Sequence, residues 1–283
     1  MPVSRRAVLK GLVGGGLGAV AGSGAYGYFY ARRHVTVTRT TVPVIGLSPA
    51  LAGLTIGLLT DVHHSQWVSQ DEVAHAAATL VAEHTDLILL GGDYVTWGDR
   101  DYVEPAAEAL GRLTAPLGVF GVIGNHDDER DMPAALSKHG IEMLNDARTT
   151  LTVRGETLDL VGLRYWTKRL DRIQALADRP RGTTVLLAHD PRRLTAAAAL
   201  GIPLVLSGHT HGGQVVLPLL GAVAARKFPL VAGVGRRDRT TIFVSRGLGT
   251  VYVPVRLNCP PEVVVLTLAS ADEATTVETP PAV

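Results

Sequence analysis

Two histidines separated by a single residue, His209 and His211, lie in a glycine-rich segment directly after an apolar run. The run, residues 202–206, is typical of a buried β-strand, which delivers its carboxyl end to the rim of a sheet. The neighbouring glycines permit a tight turn, so both imidazoles can reach one small volume. Two rings placed in this way can bind one metal ion, although the pair alone is also compatible with an ordinary packed turn.

Four further groups of polar residues follow apolar runs earlier in the chain. These motifs are, in order, Asp61-Val62-His63, Gly91-Gly92-Asp93, Gly124-Asn125-His126-Asp127 and Ala188-His189-Asp190. The apolar runs that precede them are residues 54–59, 87–90, 119–123 and 185–187. Ligands of α/β sheets bind beyond the carboxyl ends of the strands, where all five motifs would meet. Packing alone does not explain such a convergence of Asp, Asn and His, which predicts a metal site.

The segments around these motifs predict an α/β fold. Segments of helical character, rich in alanine and leucine, lie at residues 72–83, 103–113 and 192–200. Short apolar strands that alternate with helices indicate βαβ units and a sheet covered on both faces. Additional strands are predicted at residues 149–153 and 157–163, which form a hairpin, and at 214–217, 241–245 and 263–268. We therefore expect a second, partly antiparallel sheet.

Composition limits the class of protein and its partners. The 283 residues have a net charge of only +1 and show no basic stripe, so we expect no nucleic-acid partner. The single cysteine, Cys259, excludes an intramolecular disulfide. We predict one catalytic domain at residues 46–269. The tail, residues 270–283, contains little that could be buried, so we predict that it is disordered.

Residues 1–33 are predicted to be a targeting segment. Arg5 and Arg6 belong to a motif that resembles the twin-arginine export signal, and an uncharged, glycine-rich run follows at residues 11–31. Ala19-Val20-Ala21 fits the pattern of a cleavage site. Against cleavage, the run is about long enough to span a bilayer, and its aromatic end, before Arg32 and Arg33, resembles an interfacial anchor. We expect an exported protein, associated with the membrane or located in the cell wall.

The five motifs, in this order, resemble those of the calcineurin-like metallophosphoesterases over nearly the whole chain after residue 46. The segments Ser207–Val215, Ser245–Gly249 and Pro260-Pro261-Glu262 resemble more narrowly a bacterial branch of exported phosphodiesterases. That branch includes cell-wall-associated enzymes and relatives of the UDP-2,3-diacylglucosamine pyrophosphatases. The resemblance implies a four-layer fold, in which two mixed β-sheets are packed together and flanked by helices, and a centre of two divalent metal ions.

The resemblance also implies the ligands of both metals. One metal would be held by Asp61, His63, Asp93 and His211, and the second by Asp93, Asn125, His189 and His209. Asp93 would bridge the two metals, since the two oxygens of one carboxylate can hold two cations about 3.5–4 Å apart. A ligand set of imidazoles and oxygens without a thiolate suits Mn, Fe or Zn.

His126 directly follows a ligand and is the expected catalytic residue that does not bind metal. The resemblance implies that it protonates the leaving oxygen or stabilises the transition state, with Asp127 or Asp99 as the group that orients its ring. His64, next to His63, could be an outer group of the site or a packed side chain. Trp67 and Trp97 could likewise line the pocket or only pack.

The predicted function is hydrolysis of a phosphodiester, pyrophosphate or phosphomonoester bond by a hydroxide between the two metals. We expect the substrate to be a phosphorylated small molecule or an envelope component. Thr96-Trp97-Gly98 stands where Ser/Thr phosphoprotein phosphatases have Asp-Arg-Gly, which argues against a phosphoprotein substrate. Alternative contacts for the anionic substrate are Arg164, Lys227, Arg236, Arg237 and Arg246. The main alternative is an envelope protein that binds metal without catalysis, and a nuclease is disfavoured by the neutral charge.

Overall fold

Two six-stranded mixed β-sheets form the framework of the computed structural model, which describes residues 5–272, 274 and 275. In the first sheet the strand order is β1-β12-β2-β3-β4-β5, and in the second it is β10-β11-β9-β8-β7-β6. The strands are β1 (Thr36–Ile45), β2 (Thr55–Leu59), β3 (Leu87–Leu90), β4 (Val119–Gly121), β5 (Glu142–Met143), β6 (Ala147–Val153), β7 (Glu156–Leu163), β8 (Thr183–Ala188), β9 (Leu204–Ser207), β10 (Gly233–Arg237), β11 (Thr240–Val244) and β12 (Glu262–Ala271).

The helices are α1 (Arg5–Phe29), α2 (Gln70–Val81), α3 (Val103–Leu110), α4 (Asp131–Lys138), α5 (Leu170–Ala177) and α6 (Leu194–Ala199). Helices α2 to α6 cover the outer faces of the sheets, whereas α1 is exposed along most of its length. Helix α2 begins at a capping box, in which Ser69 and Glu72 each accept a bond from the other residue's backbone N–H. Helices α2, α3 and α4 share one apolar cluster with the first sheet, and α5 and α6 share another with the second.

The layers explain why the central strands are mostly apolar. In β2, Ile56 and Leu58 belong to the cluster between the two sheets, together with Leu204 and Leu206 of β9. Leu59, on the opposite face of β2, packs in the helical layer. Because both faces of a central strand are covered, apolar side chains are favoured on both faces. The predicted α/β fold, with two mixed sheets flanked by helices, is confirmed.

Two expectations about the sheets need correction. The predicted strand at residues 214–217 is wrong, because left-handed backbone at Gly212, Gly213 and Gln214 turns the chain away from the sheet. Only single bridges follow, one of them between Val215 and Leu257. The strand predicted at residues 263–268 exists as β12, but it lies in the first sheet, antiparallel to β2. The predicted hairpin is confirmed as β6 and β7.

The first sheet extends beyond the predicted domain at both ends. Strand β1 lies before residue 46 and pairs in parallel with β12 along its whole length. Strand β12 continues to Ala271, into the segment predicted as the tail. Of that tail, residues 273 and 276–283 lie outside the described residues, as does Ser4 of the export motif. Within the described residues, no helix combines the length and the hydropathy that crossing a membrane requires.

Candidate metal centre

The predicted metal ligands come from strand ends of both sheets. Strand β2 leads to Asp61 and His63, β3 to Asp93 and β4 to Asn125, all in the first sheet. In the second sheet, β8 leads to His189, and β9 leads to His209 and His211. Adjacent parallel strands end at the same edge, and the close packing of the two sheets brings both edges together.

Backbone strain is concentrated at these residues. Positive φ angles occur at Asp61, His63, Asp93, His209 and His211, with values between 50° and 72°. Each such residue costs about 1–3 kcal/mol, and strain of this kind persists where the surrounding structure imposes it, often at functional sites. The positive φ angles at Asp61 and His63 accompany side chains that enter one cluster of potential ligands, whereas His209 and His211 enter two different clusters.

One cluster of potential ligand atoms consists of Asp61, His63 and His211, all three buried. The Nε2 atoms of His63 and His211 are 3.1 Å apart, and Nε2 of His211 is 3.4 Å from Oδ1 of Asp61. Gly208 allows this approach, because a Cβ at that position would overlap Oδ2 of Asp61. Two imidazole nitrogens and one carboxylate at this spacing suit a transition metal.

A second cluster consists of Asp93, His189 and His209. Nε2 of His189 is 3.1 Å from Oδ2 of Asp93 and 3.1 Å from Nδ1 of His209. The same Oδ2 of Asp93 lies 3.5 Å from Nε2 of His63, in the first cluster. The carboxylate of Asp93 therefore stands between the two clusters, where a bridging ligand would have to be.

Neighbouring groups orient the rings of two histidines. Nδ1 of His189 donates to the carbonyl oxygen of Gly91, 2.8 Å away, so Nε2 faces the carboxylate of Asp93. Against the effect of burial, the charge of Asp93 raises the pKa of His189 to about 10, and a metal at Nε2 would replace the proton there. Nδ1 of His63 lies 3.1 Å from the hydroxyl of Thr96. Outer partners of this kind orient an imidazole and leave its other nitrogen to a metal.

The donor atoms fit divalent cations in charge as well as in geometry. Burial lowers the pKa of His63 to about 3 and the pKa of His209 to about 3, and it lowers the pKa of His211 well below its usual value. These rings are therefore neutral, which is the form that binds a metal. Burial, together with the charge of Asp93, raises the pKa of Asp61 to about 6. A bound cation would relieve that repulsion.

Asn125 supplies an independent observation in favour of a cation. Its Oδ1 atom is buried and has no hydrogen-bond partner. A buried acceptor without a partner costs about 1–3 kcal/mol. A hard or borderline cation would satisfy this oxygen without adding negative charge, as the family resemblance implies.

The ring of His126 lies beside the first cluster, with its centroid 4.9 Å from that of His63. Its Nδ1 accepts a hydrogen bond from the backbone N–H of Trp97, at 3.3 Å. Neither residue expected to orient the ring does so: Asp127 accepts from backbone N–H groups, including that of Asp93, and Asp99 accepts from the N–H of Asp101. Trp97 is therefore the orienting residue, through its main chain.

Aromatic side chains surround the candidate centre on two sides. Trp97 contacts His126 at 4.5 Å between ring centroids, and Tyr252 contacts Trp97 at 5.3 Å. On the side of His209, the rings of Tyr165 and Phe228 lie 5.4 and 5.2 Å from its imidazole. Tyr252, Tyr165 and Phe228 could not be predicted from the sequence, since each belongs to a loop outside the ligand motifs and no spacing pattern marks it.

His64 and Trp67 lie outside the site. Nδ1 of His64 donates to the carbonyl oxygen of Val68 at 2.7 Å, and its ring packs on Tyr102. The ring of Trp67 contacts Tyr28 of helix α1, 6.3 Å away between centroids.

Most of the arginines proposed as substrate contacts have other partners. Arg164 pairs with Asp146 and Arg246 with Glu262, while Arg236 donates to a carbonyl oxygen. Arg237 donates to the hydroxyl of Thr195. Lys227 differs, because it lies over the ring of Phe228, which contacts His209.

Comparison with known proteins agrees with this geometry. The family profile described as calcineurin-like phosphoesterase matches residues 54–213. The phosphodiesterase YaeI of Escherichia coli is 32% identical over 222 residues, which cover 74% of this chain and 80% of YaeI. The chain belongs to the calcineurin-like phosphoesterase family and is a phosphoric ester hydrolase.

Other relatives are similar over most of the chain. The metallophosphoesterase YkuE of Bacillus subtilis is 28% identical over 283 residues, which cover 95% of this chain and 99% of YkuE. A zebrafish (Danio rerio) protein is 30% identical over 265 residues, which cover 87% of this chain and 60% of the zebrafish protein. It is named transmembrane protein with metallophosphoesterase domain. Among solved structures, a novel archaeal phosphodiesterase matches 70% of this chain with a TM-score of 0.41 and 14% identity.

Proposed function

We propose that this protein is an exported phosphodiesterase with two divalent metal ions, which acts on a phosphodiester or pyrophosphate bond of a cell-envelope component. The observation that carries the proposal is the position of Asp93 between two clusters of potential ligands, with His126 beside them. A relative named phosphodiesterase, YaeI, supports the reaction type. The metals we expect are Mn, Fe or Zn.

The bound cations would supply Lewis acidity for the phosphoryl oxygens and an activated water for in-line attack. Asp61, His63 and His211 would hold one cation, and Asn125, His189 and His209 the other, with Asp93 shared. The carbonyl oxygen of Gly91 keeps the His189 ring in the required orientation.

His126 acts on the substrate in this proposal rather than on the metals. The N–H of Trp97 points at Nδ1, so Nδ1 accepts and Nε2 carries the proton. A neutral ring in this tautomer donates one hydrogen bond from Nε2, in a position to stabilise charge that develops on a phosphoryl or leaving oxygen. Trp97 covers the ring from one side and limits the access of water to it.

Export and membrane association are proposed from the N-terminal segment. Helix α1 begins with Arg5 and Arg6 and contains no acidic residue, and its side chains include exposed leucines and aromatic rings. Its carboxyl end contacts the catalytic region, since the carbonyl oxygen of Gly27 accepts from the N–H of Arg256. The zebrafish relative is named a transmembrane protein, which supports a membrane location. We infer twin-arginine export, followed by association with the membrane or the cell wall.

The decisive experiment compares the chain with its Asp93→Asn variant. Purified protein with added Mn²⁺ should hydrolyse bis-p-nitrophenyl phosphate, and the variant should lose metal and activity together, because a neutral amide is a poor bridge between two cations. The exposed Asp101→Asn variant is the matched control and should retain both. Metal content is measured by elemental analysis.

The outcomes separate the enzyme from the alternative. A protein that binds two metals but leaves every phosphodiester and phosphomonoester intact would be the non-catalytic envelope protein. Normal turnover and two bound metals in Asp93→Asn would contradict the assignment of the bridge.

A further inference from the structure

Three cationic side chains lie around the aromatic rings beside His209. The guanidinium of Arg192 is 5.4 Å from the centroid of Phe228, and the ammonium of Lys227 is 5.3 Å from the same centroid. The ammonium of Lys168 is 5.8 Å from the centroid of Tyr165. Each cation is thus one aromatic ring away from the imidazole of His209.

Further contacts join these cations to the rings. Nη2 of Arg192 also lies 3.3 Å from the hydroxyl of Tyr165, so Arg192 contacts Tyr165 as well as Phe228. Lys168 lies 5.5 Å from Trp166 in addition to its contact with Tyr165. A cation over an aromatic face is attracted by the ring quadrupole and keeps its hydrogen-bond donors free.

The group carries excess positive charge. Arg192 is paired with Asp190, a buried carboxylate that also faces Arg193 at 3.8 Å. Lys168 and Lys227 have no carboxylate partner in the part of the chain that the structure describes. Lysine charges near the candidate metal centre that are not paired with acids attract anions.

The opposite side of the centre differs in chemistry. There the rings of Trp97 and Tyr252 contact His126, and neither ring is covered by a cation among the described residues. A substrate phosphate between the two sides would therefore have an apolar aromatic neighbour on one side and a cationic neighbour on the other. The asymmetry favours a substrate whose two substituents on the scissile phosphate differ in charge.

We propose that Lys168, Lys227 and Arg192 form an anion subsite, which takes a second anionic group next to the scissile phosphate. This inference rests on the proposed function, because the first phosphate must lie at the metals. The class of substrate is a phosphoric ester or anhydride with an adjacent phosphate or carboxylate. Both anions suit ammonium and guanidinium donors, and the guanidinium can bind either in a bidentate manner.

Competition experiments test the subsite on the full chain loaded with Mn²⁺. Inhibition of bis-p-nitrophenyl phosphate hydrolysis is measured with methylphosphonate, which has one anionic group, phosphonoacetate, which adds a carboxylate, and methylenediphosphonate, which adds a second phosphonate. The quantity compared is the ratio of the inhibition constant of each two-anion compound to that of methylphosphonate. Free Mn²⁺ is kept in excess so that chelation does not contribute.

The expected result is a rise of this ratio in the double variant Lys168→Gln, Lys227→Gln, by about tenfold for the loss of charge-assisted bonds. The matched control is Lys138→Gln on α4, whose ammonium pairs with Glu104 far from the site. A rise with methylenediphosphonate alone would assign the subsite to phosphate, and a rise with phosphonoacetate as well would assign it to anions in general.

An unchanged ratio in the double variant, or an equal change in the control, would overturn the subsite. Calorimetric binding of the same three compounds to the Mn²⁺-loaded protein separates this result from failure of the proposed function. If the protein hydrolyses no ester but binds the two-anion compounds through Lys168 and Lys227, the subsite stands without the reaction. If it hydrolyses the ester with no preference for a second anion, the reaction stands without the subsite.

Discussion

At the scale of single residues, the structure favours one of the two roles expected of His126, the stabilisation of the transition state. An aspartate partner would stabilise a protonated ring, but the partner found is a backbone N–H, that of Trp97. A second proton on Nδ1 would meet this N–H, so the imidazolium is disfavoured. Burial also lowers the pKa of His126, which likewise favours the neutral ring. The ring is therefore suited to donate a hydrogen bond while neutral.

Replacement of His126 by alanine should leave both metals bound and slow hydrolysis by about 10²-fold or more. If the ring stabilises charge without transferring its proton, the loss should be equal for esters with good and with poor leaving groups. The measurement is the turnover of a series of aryl phosphodiesters, with metal content determined in parallel. His75→Ala, an exposed position in α2, is the control. A loss confined to poor leaving groups would instead show full proton transfer.

At the scale of elements, the sequence predicted the strands that lead to the ligands better than it predicted their surroundings. An apolar run such as residues 87–90 is buried on both faces, and the polar residue after it marks the strand end, so β3 was placed correctly. Strand β1 was missed, because an edge strand with one exposed face lacks such a run. Arg192 was also missed as a candidate contact for the anionic substrate. Its position three residues after the ligand His189 could have indicated that it lies near the metal centre.

Arg256 holds an irregular element against the ligands. Its guanidinium is fully buried and donates to the carbonyl oxygens of Gly249, Arg246 and Cys259, at distances of 2.6–3.2 Å. Through these bonds it fixes the loop at residues 245–249, whose Gly249 N–H donates to the carbonyl oxygen of Asp61. No other side-chain type offers five donors in one plane.

Replacement of Arg256 by alanine should lower the free energy of unfolding by about 3 kcal/mol or more, since several buried carbonyl groups lose their partners at once. The measurement is denaturant unfolding of the protein, compared with Arg130→Ala, in which an arginine side chain that is 89% exposed is removed. The control should change stability by less than about 0.5 kcal/mol. Equal stability of the two variants would show that the carbonyl groups find water or other donors.

At the scale of the whole molecule, the proposed export function of the N-terminal segment can be tested separately from catalysis. Replacement of Arg5 and Arg6 by lysine should retain the protein in the cytoplasm, because the export route distinguishes the arginine pair, while the retained protein stays folded and active. The location of the variant is measured by cell fractionation with an activity assay. Activity on the extracytoplasmic side of the membrane in the variant would contradict twin-arginine export.

N-terminal sequencing of the exported wild-type protein then decides between the two forms of the segment. A start at Gly22 would show cleavage after Ala21, and an uncut segment would support a retained anchor. In either form, the residues of the candidate metal centre are unaffected.

The contact between Gly27 and Arg256 has a consequence for how the enzyme meets its substrates. Because a Cβ at position 27 would overlap the Val255 side chain and the Arg256 carbonyl, the main chains are in direct contact there. The same loop carries Tyr252, whose ring contacts Trp97 and His126, so the N-terminal segment joins the domain next to the candidate metal centre. In the proposed membrane-associated form, a tether that begins at that point would raise the effective concentration of membrane-resident substrates and leave that of freely diffusing ones unchanged.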